Sequence, residues 1–86
     1  MSLSLRRSID EISTLLGISS PVIVTYVEQR WIIPVDPEHW MFDEDDVSRI
    51  QLILDLKEIF GVNDEAIDVI LHLVDQLKYL ELRLSR

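Results

Sequence analysis

From Asn63 onward the chain contains neither glycine nor proline, and a leucine or isoleucine recurs every three or four residues. Once Asn63-Asp64-Glu65 has started a helix there, nothing in the sequence interrupts it. At about 1.5 Å per residue such a helix reaches over roughly 30 Å, more than the body of so small a domain can cover. Two apolar edges run along it. Ile70, Leu73, Leu77, Leu80 and Leu84 alternate at the a/d spacing of a coiled coil, and Ile67, Leu71 and Val74 form a second edge beside them. One edge can pack on the rest of the chain, and the other then needs a partner. A homodimer with Ile70, Leu73, Leu77, Leu80 and Leu84 at its interface is the expectation, against the competing reading of one broad face inside a monomer core.

The preceding residues read as a small helical body. Ser8-Ile9-Asp10-Glu11 is a capping box, and Ile9, Ile12, Leu15 and Leu16 follow on one helical face. Gly17 can close that helix in the left-handed conformation. Ser19-Ser20-Pro21 opens a second helix with a serine cap and a first-turn proline, its apolar side made by Ile23, Tyr26, Val27 and Trp31. Residues 8–31 therefore form a helix-turn-helix pattern. From Ile32 the period changes. Ile32-Ile33-Pro34-Val35 and Trp40-Met41-Phe42 flank the turn-rich Asp36-Pro37-Glu38-His39, which predicts a hairpin wing over 32–43 with Trp40 and Phe42 on one face. Asp43-Glu44-Asp45-Asp46 caps a third helix over 44–60, with Val47, Ile50, Ile53, Leu54 and Leu56 on its apolar stripe and Gly61 as its stop. The last helix spans 63–86.

At 86 residues and 10.1 kDa this is one domain. It has no cysteine, which excludes disulfide frameworks, zinc-thiolate sites and thiol catalysis. No apolar run approaches the roughly 18 residues of a membrane span. Met1-Ser2-Leu3-Ser4-Leu5-Arg6-Arg7 lacks the apolar core of a signal peptide, so a cytoplasmic protein is expected. Sixteen acidic residues face eight basic ones, for a net charge of −8. Between Ser8 and Ser48 the only basic residue is Arg30, against Asp10, Glu11, Glu28, Asp36, Glu38, Asp43, Glu44, Asp45 and Asp46. Nucleic-acid binding draws most of its affinity from neutralised phosphates, so DNA and anionic membranes are poor partners. A protein with a basic surface is a better one.

Catalytic chemistry is hard to find. Asp68, His72 and Asp75 share a helical face but lack the third or fourth strong donor of a metal site. His39 sits in a turn with no nucleophile suggested nearby, and there is no glycine-rich phosphate loop. Helix capping accounts for the run from Asp43 to Asp46. No enzyme activity, cofactor or metal is expected.

Helix-turn-helix, wing, third helix and long terminal helix, in that order, resemble the MerR-type winged-helix superfamily. The resemblance implies a mainly α fold with a small β-hairpin wing and a C-terminal coiled-coil helix. DNA-binding members carry an arginine-tyrosine stretch in the second helix and arginines in the wing. Here those places hold Ile23-Val24-Thr25-Tyr26-Val27-Glu28 and Val35-Asp36-Pro37-Glu38. Gly17-Ile18-Ser19, Tyr26-Val27, Ile32-Ile33-Pro34, Trp40-Met41-Phe42-Asp43, Gly61-Val62-Asn63 and Leu77-Lys78-Tyr79-Leu80 are more similar to the chaperone-modulator (CbpM-like) family, over about residues 8 to 86. That resemblance implies a non-enzymatic protein that binds the J-domain of a CbpA/DnaJ-like co-chaperone and blocks its action on Hsp70. The alternative is a MerR-like transcriptional regulator binding DNA as a dimer. The candidate partner-binding residues are Asp36, Glu38, Trp40, Glu44, Asp45 and Asp46, clustered around the wing.

Overall fold

Side chains next to the helix starts set most of the architecture. The computed structural model describes residues 5–85. Met1–Ser4 and Arg86 lie outside the described residues. In α1 (Ile9–Leu16) the Ser8 hydroxyl accepts the Glu11 backbone N–H, and the Glu11 carboxylate accepts that of Ser8. This reciprocal bonding, led by the Ser8 backbone N–H, holds the Glu11 carboxyl below its ordinary value. Gly17 ends the helix at φ 69°, as a left-handed cap requires.

In α2 (Ser20–Glu28) Ser19 occupies the cap position, but its side chain makes no capping bond. A capping hydroxyl normally takes the N–H of the second or third helical residue. Pro21, the second, has none, and the Val22 N–H already goes to the Ser19 carbonyl. The serine cap expected there is therefore replaced by backbone bonding. Past Glu28 the chain turns at Arg30, φ 64°, and the Trp31 N–H returns to the Tyr26 carbonyl at 3.0 Å. That turn, rather than continued helix, brings Trp31 to the core side of α2.

The wing is less self-contained than its sequence suggests. Asp36 and Met41 exchange both backbone bonds, at 3.0 and 3.1 Å, and close the turn. Beyond that pair, β2 (Met41–Phe42) runs antiparallel to β1 (Arg7–Ser8), with Arg7 opposite Phe42 and Ser8 opposite Met41. Pro34 and Pro37 have no N–H to give a ladder, so the first limb of the wing cannot pair along its length. The N-terminal residues take its place.

α3 (Glu44–Glu58) starts at Asp43 with a capping box closed by Asp46. It stops before Gly61, which at φ 63° turns the chain while the Val62 N–H bonds the Leu56 carbonyl at 2.9 Å. α4 (Asp64–Leu84) is capped by Asn63, whose side chain accepts the Ala66 N–H at 2.8 Å. These four helices and the small two-stranded sheet make a mainly α winged helix-turn-helix.

The core is Ile12, Ile23, Tyr26, Trp31, Ile32, Phe42, Ile50, Ile53, Ile67 and Leu71. Leu15, expected on the buried face of α1, is instead 54% exposed. It lies about 120° around the helix from Ile9, at the edge of the stripe that Ile9, Ile12 and Leu16 share. Val47, Leu54 and Leu56 pack at the margin of the core, with Ile50 and Ile53 at its centre.

α4 is held to this body by polar bonds as well as by Ile67 and Leu71. The Arg49 Nε–H donates to the Trp31 carbonyl, and its two terminal nitrogens grip both Asp75 oxygens at 2.6 and 3.1 Å. The Trp31 indole N–H donates to Asp68. We expect Arg49→Ala to lower stability by about 1–3 kcal/mol, since a carbonyl and a carboxylate lose their donors together. Arg49→Lys, which cannot span both, should fall between the two. Urea midpoints of the three proteins measure this.

Candidate functional site

Of the six residues predicted to meet a partner, the five acids divide into two groups. Glu38, Glu44 and Asp45 are exposed, and none is held in an ion pair among the described residues. The other two acids are occupied. Asp36 accepts the backbone N–H of His39 at 3.2 Å, lies 3.0 Å from its ring Nδ1 and 3.8 Å from Arg6. The His39 side chain, followed by its backbone N–H, is the chief cause that holds the Asp36 carboxyl below its ordinary value. Asp46 is half-buried, and its Oδ2 accepts the N–H of Val35 at 3.0 Å and of Asp43 at 3.1 Å. It is therefore a brace between wing and helix rather than a free surface charge. Sequence reasoning missed this because the Val35 bond is tertiary. Trp40 lies in the turn, 37% exposed, with its ring at 6.5 Å and 72° to that of the fully buried Phe42.

Asp68, His72 and Asp75 do not converge on a shared site. Trp31 takes Asp68 and Arg49 takes Asp75, while His72 is exposed. A groove of about 320 Å³ nearby is lined by Arg30, Arg49 and Lys78 against Asp45, Asp46 and Asp75, charges that balance and favour neither an anion nor a cation. Arg49 and Arg6 are the residues that sequence reading overlooked. Arg6, just before β1, reaches Asp36 of the wing because β1 pairs with β2.

On α4 the two apolar edges part company. Ile67 and Leu71 are buried, Ile70 and Val74 are half-buried, and Leu73, Leu77, Leu80 and Leu84 are all more than 50% exposed. From Asp75 to Ser85 every residue is exposed. Among the described residues no helix is long and apolar enough to cross a membrane.

Residues 8–86 match the family described as MerR HTH family regulatory protein. The chain belongs to that family. No curated protein matches it at a significant level. In the MerR helix-turn-helix frame α2 is the second helix, and between Ser20 and Glu28 it carries no lysine or arginine; its one charged side chain is the exposed Glu28. The family is one of regulators.

Two aspartates respond to acid in opposite directions. The Arg49 hydrogen bonds hold the Asp75 carboxyl below its ordinary value. Asp75 therefore adds stability above its unfolded value, and that contribution is lost as pH falls through the lowered folded one. Burial pushes the Asp46 carboxyl up, against the backbone N–H bonds that draw it down. Its ionised form costs the folded state at neutral pH, and the cost eases as pH falls through the raised folded value. We expect Asp46→Ala to lose about 1–2 kcal/mol, because two N–H groups lose their acceptor. Asp46→Asn keeps an accepting oxygen and should stay within about 0.5 kcal/mol of wild type. Relative to wild type, the Asn variant should fare best near pH 7 and less well near pH 4, as urea midpoints at the two pH values will show.

Proposed function

We propose that this MerR-family chain is a non-enzymatic chaperone modulator that binds the J-domain of a CbpA/DnaJ-like co-chaperone and blocks its action on Hsp70. The observation that carries the reading is the charge of the surface a DNA-binding relative would turn to the duplex. α2 has no basic side chain, and Glu28, Glu38, Glu44 and Asp45 stand exposed along α2, the wing and the start of α3. A phosphate backbone approaching this surface meets repulsion. A basic helix is attracted, and J-domains dock on Hsp70 through a basic helical surface. Covering that surface inhibits by competition, with no chemical step.

The exposed edge of α4 supports a second part of the proposal, a homodimer through Leu73, Leu77, Leu80 and Leu84 with Ile70 at its inner margin. Four leucines at three- and four-residue spacing, on a segment the body leaves uncovered, are what a helix-helix seam requires.

Two experiments test these statements. Replacing Glu44 and Asp45 by Lys should leave the fold intact, at about 0.3–1 kcal/mol each for cations in a first helical turn. The double variant should bind a J-domain with a slower on-rate and a weaker salt dependence than wild type. Association kinetics at two salt concentrations, with circular dichroism for folding, measure it; unchanged association at low salt would remove this surface from the interface. For the homodimer, Leu77→Asp with Leu80→Asp should give a monomer in sedimentation equilibrium, because charge buried in an apolar seam is strongly unfavourable. A wild-type chain that sediments as a monomer at high concentration would refute the seam.

A further inference from the structure

The chain has two tryptophans, and they are placed very differently: Trp31 is 3% exposed and Trp40 is 37% exposed. Trp40 is nonetheless fixed. Its ring meets Phe42 at 6.5 Å in a near-perpendicular arrangement, and Phe42 is wholly buried. A rigid core residue thus holds a partly exposed indole at the tip of the wing. Val35, across the same turn, is 42% exposed. Along the chain the exposed acids that flank this surface are Glu38, two positions before the indole, and Glu44 and Asp45, four and five after it, outnumbering Arg7, which stands opposite Phe42. An indole attracts cations to its ring, and exposed carboxylates beside it draw in the same kind of partner.

We propose that Trp40 is the anchor of the partner interface, receiving an arginine or lysine side chain from a basic helix while Glu38, Glu44 and Asp45 face the neighbouring cations. The proposal rests on the J-domain reading above and adds to it the residue on which the contact centres. Large aromatics held rigidly at the middle of a charged rim are the residues that dominate binding at protein interfaces. The backbone of Trp40 supplies a useful variant. At φ 53° it occupies the left-handed region, which glycine adopts more readily than any other residue, so Trp40→Gly suits the turn.

The experiment uses the whole chain labelled with 5-fluorotryptophan, whose two fluorine resonances are assigned with Trp31→Phe and Trp40→Phe. The unlabelled J-domain of a CbpA-type co-chaperone is then titrated in, with calorimetry in parallel. The Trp40 resonance should move and the buried Trp31 resonance should stay, the latter also reporting that each variant is folded. Trp40→Leu and Trp40→Gly should both weaken binding about tenfold, and Trp40→Phe, which keeps an aromatic face, by less. If the J-domain binds but the Trp40 resonance is unmoved and Trp40→Gly binds as tightly as wild type, the anchor is wrong and the J-domain reading stands. If neither resonance moves and no heat is released, both fall. A Trp40 shift on concentrating the protein alone would give this surface to a second copy and overturn the anchor.

Discussion

Arg49 holds three parts of the chain in one place. Its guanidinium starts on α3, takes the backbone carbonyl of Trp31 with one nitrogen and closes on the α4 carboxylate of Asp75 with the other two. Trp31 extends the junction. Its indole N–H reaches Asp68, two helical turns earlier on α4, its ring lies 5.6 Å from that of Tyr26, and Lys57 sits 5.5 Å from its centroid. Lys57 in turn bonds Asp64 at the start of α4 at 2.6 Å, and this hydrogen bond raises its pKa. Apolar burial on α4 ends at Leu71 and Val74, so the direction of the exposed half depends on this polar framework. A planar fork that meets a carboxylate with two parallel bonds fixes orientation in a way that one ammonium cannot.

Local chemistry made much of this legible before any coordinates. Ser8 with Glu11, Asp43 with Asp46, and Asn63 each bond within three residues along the chain, so the caps could be read directly. The division of α4 into two edges was legible for the same reason, since helical spacing alone places Leu77 and Leu80 away from Ile67 and Leu71. What escaped was non-local. β1 and β2 have two residues each, too few for a periodic signal, and pair across more than thirty positions of chain. Arg49 gave no hint of its three acceptors, because a lone basic residue on a helix reads as solvated surface. Leu15 failed by geometry, an apolar side chain at the margin of a stripe that the short α1 has no neighbour to cover.

The candidate site shows the same division. Sequence reading gave the run from Asp43 to Asp46 to the cap of α3, and Asp36, Glu38, Glu44, Asp45 and Asp46 to a partner. The fold shows which carboxylates are already bonded. Asp43 and Asp46 complete the helix start, Asp36 closes the wing turn with His39, and Glu38, Glu44 and Asp45 remain at the surface. A charge count cannot separate these groups, because which carboxylate finds an N–H depends on where the wing lies against α3. The MerR frame is retained with a second helix that carries no lysine or arginine.

That Asp46 serves Val35 and Asp43 through a single oxygen has a consequence for motion. Wings joined only at their base can loosen while the domain stays folded, and their amides then exchange with solvent independently of the helices. Here, lifting the wing at Val35 must first break its bond to the residue that completes the cap of α3. The Val35 amide is therefore protected by a bond to α3 as well as by the turn that follows it. A partner that meets this edge finds a loop whose disorder was removed when the domain folded, so little ordering entropy remains to oppose association.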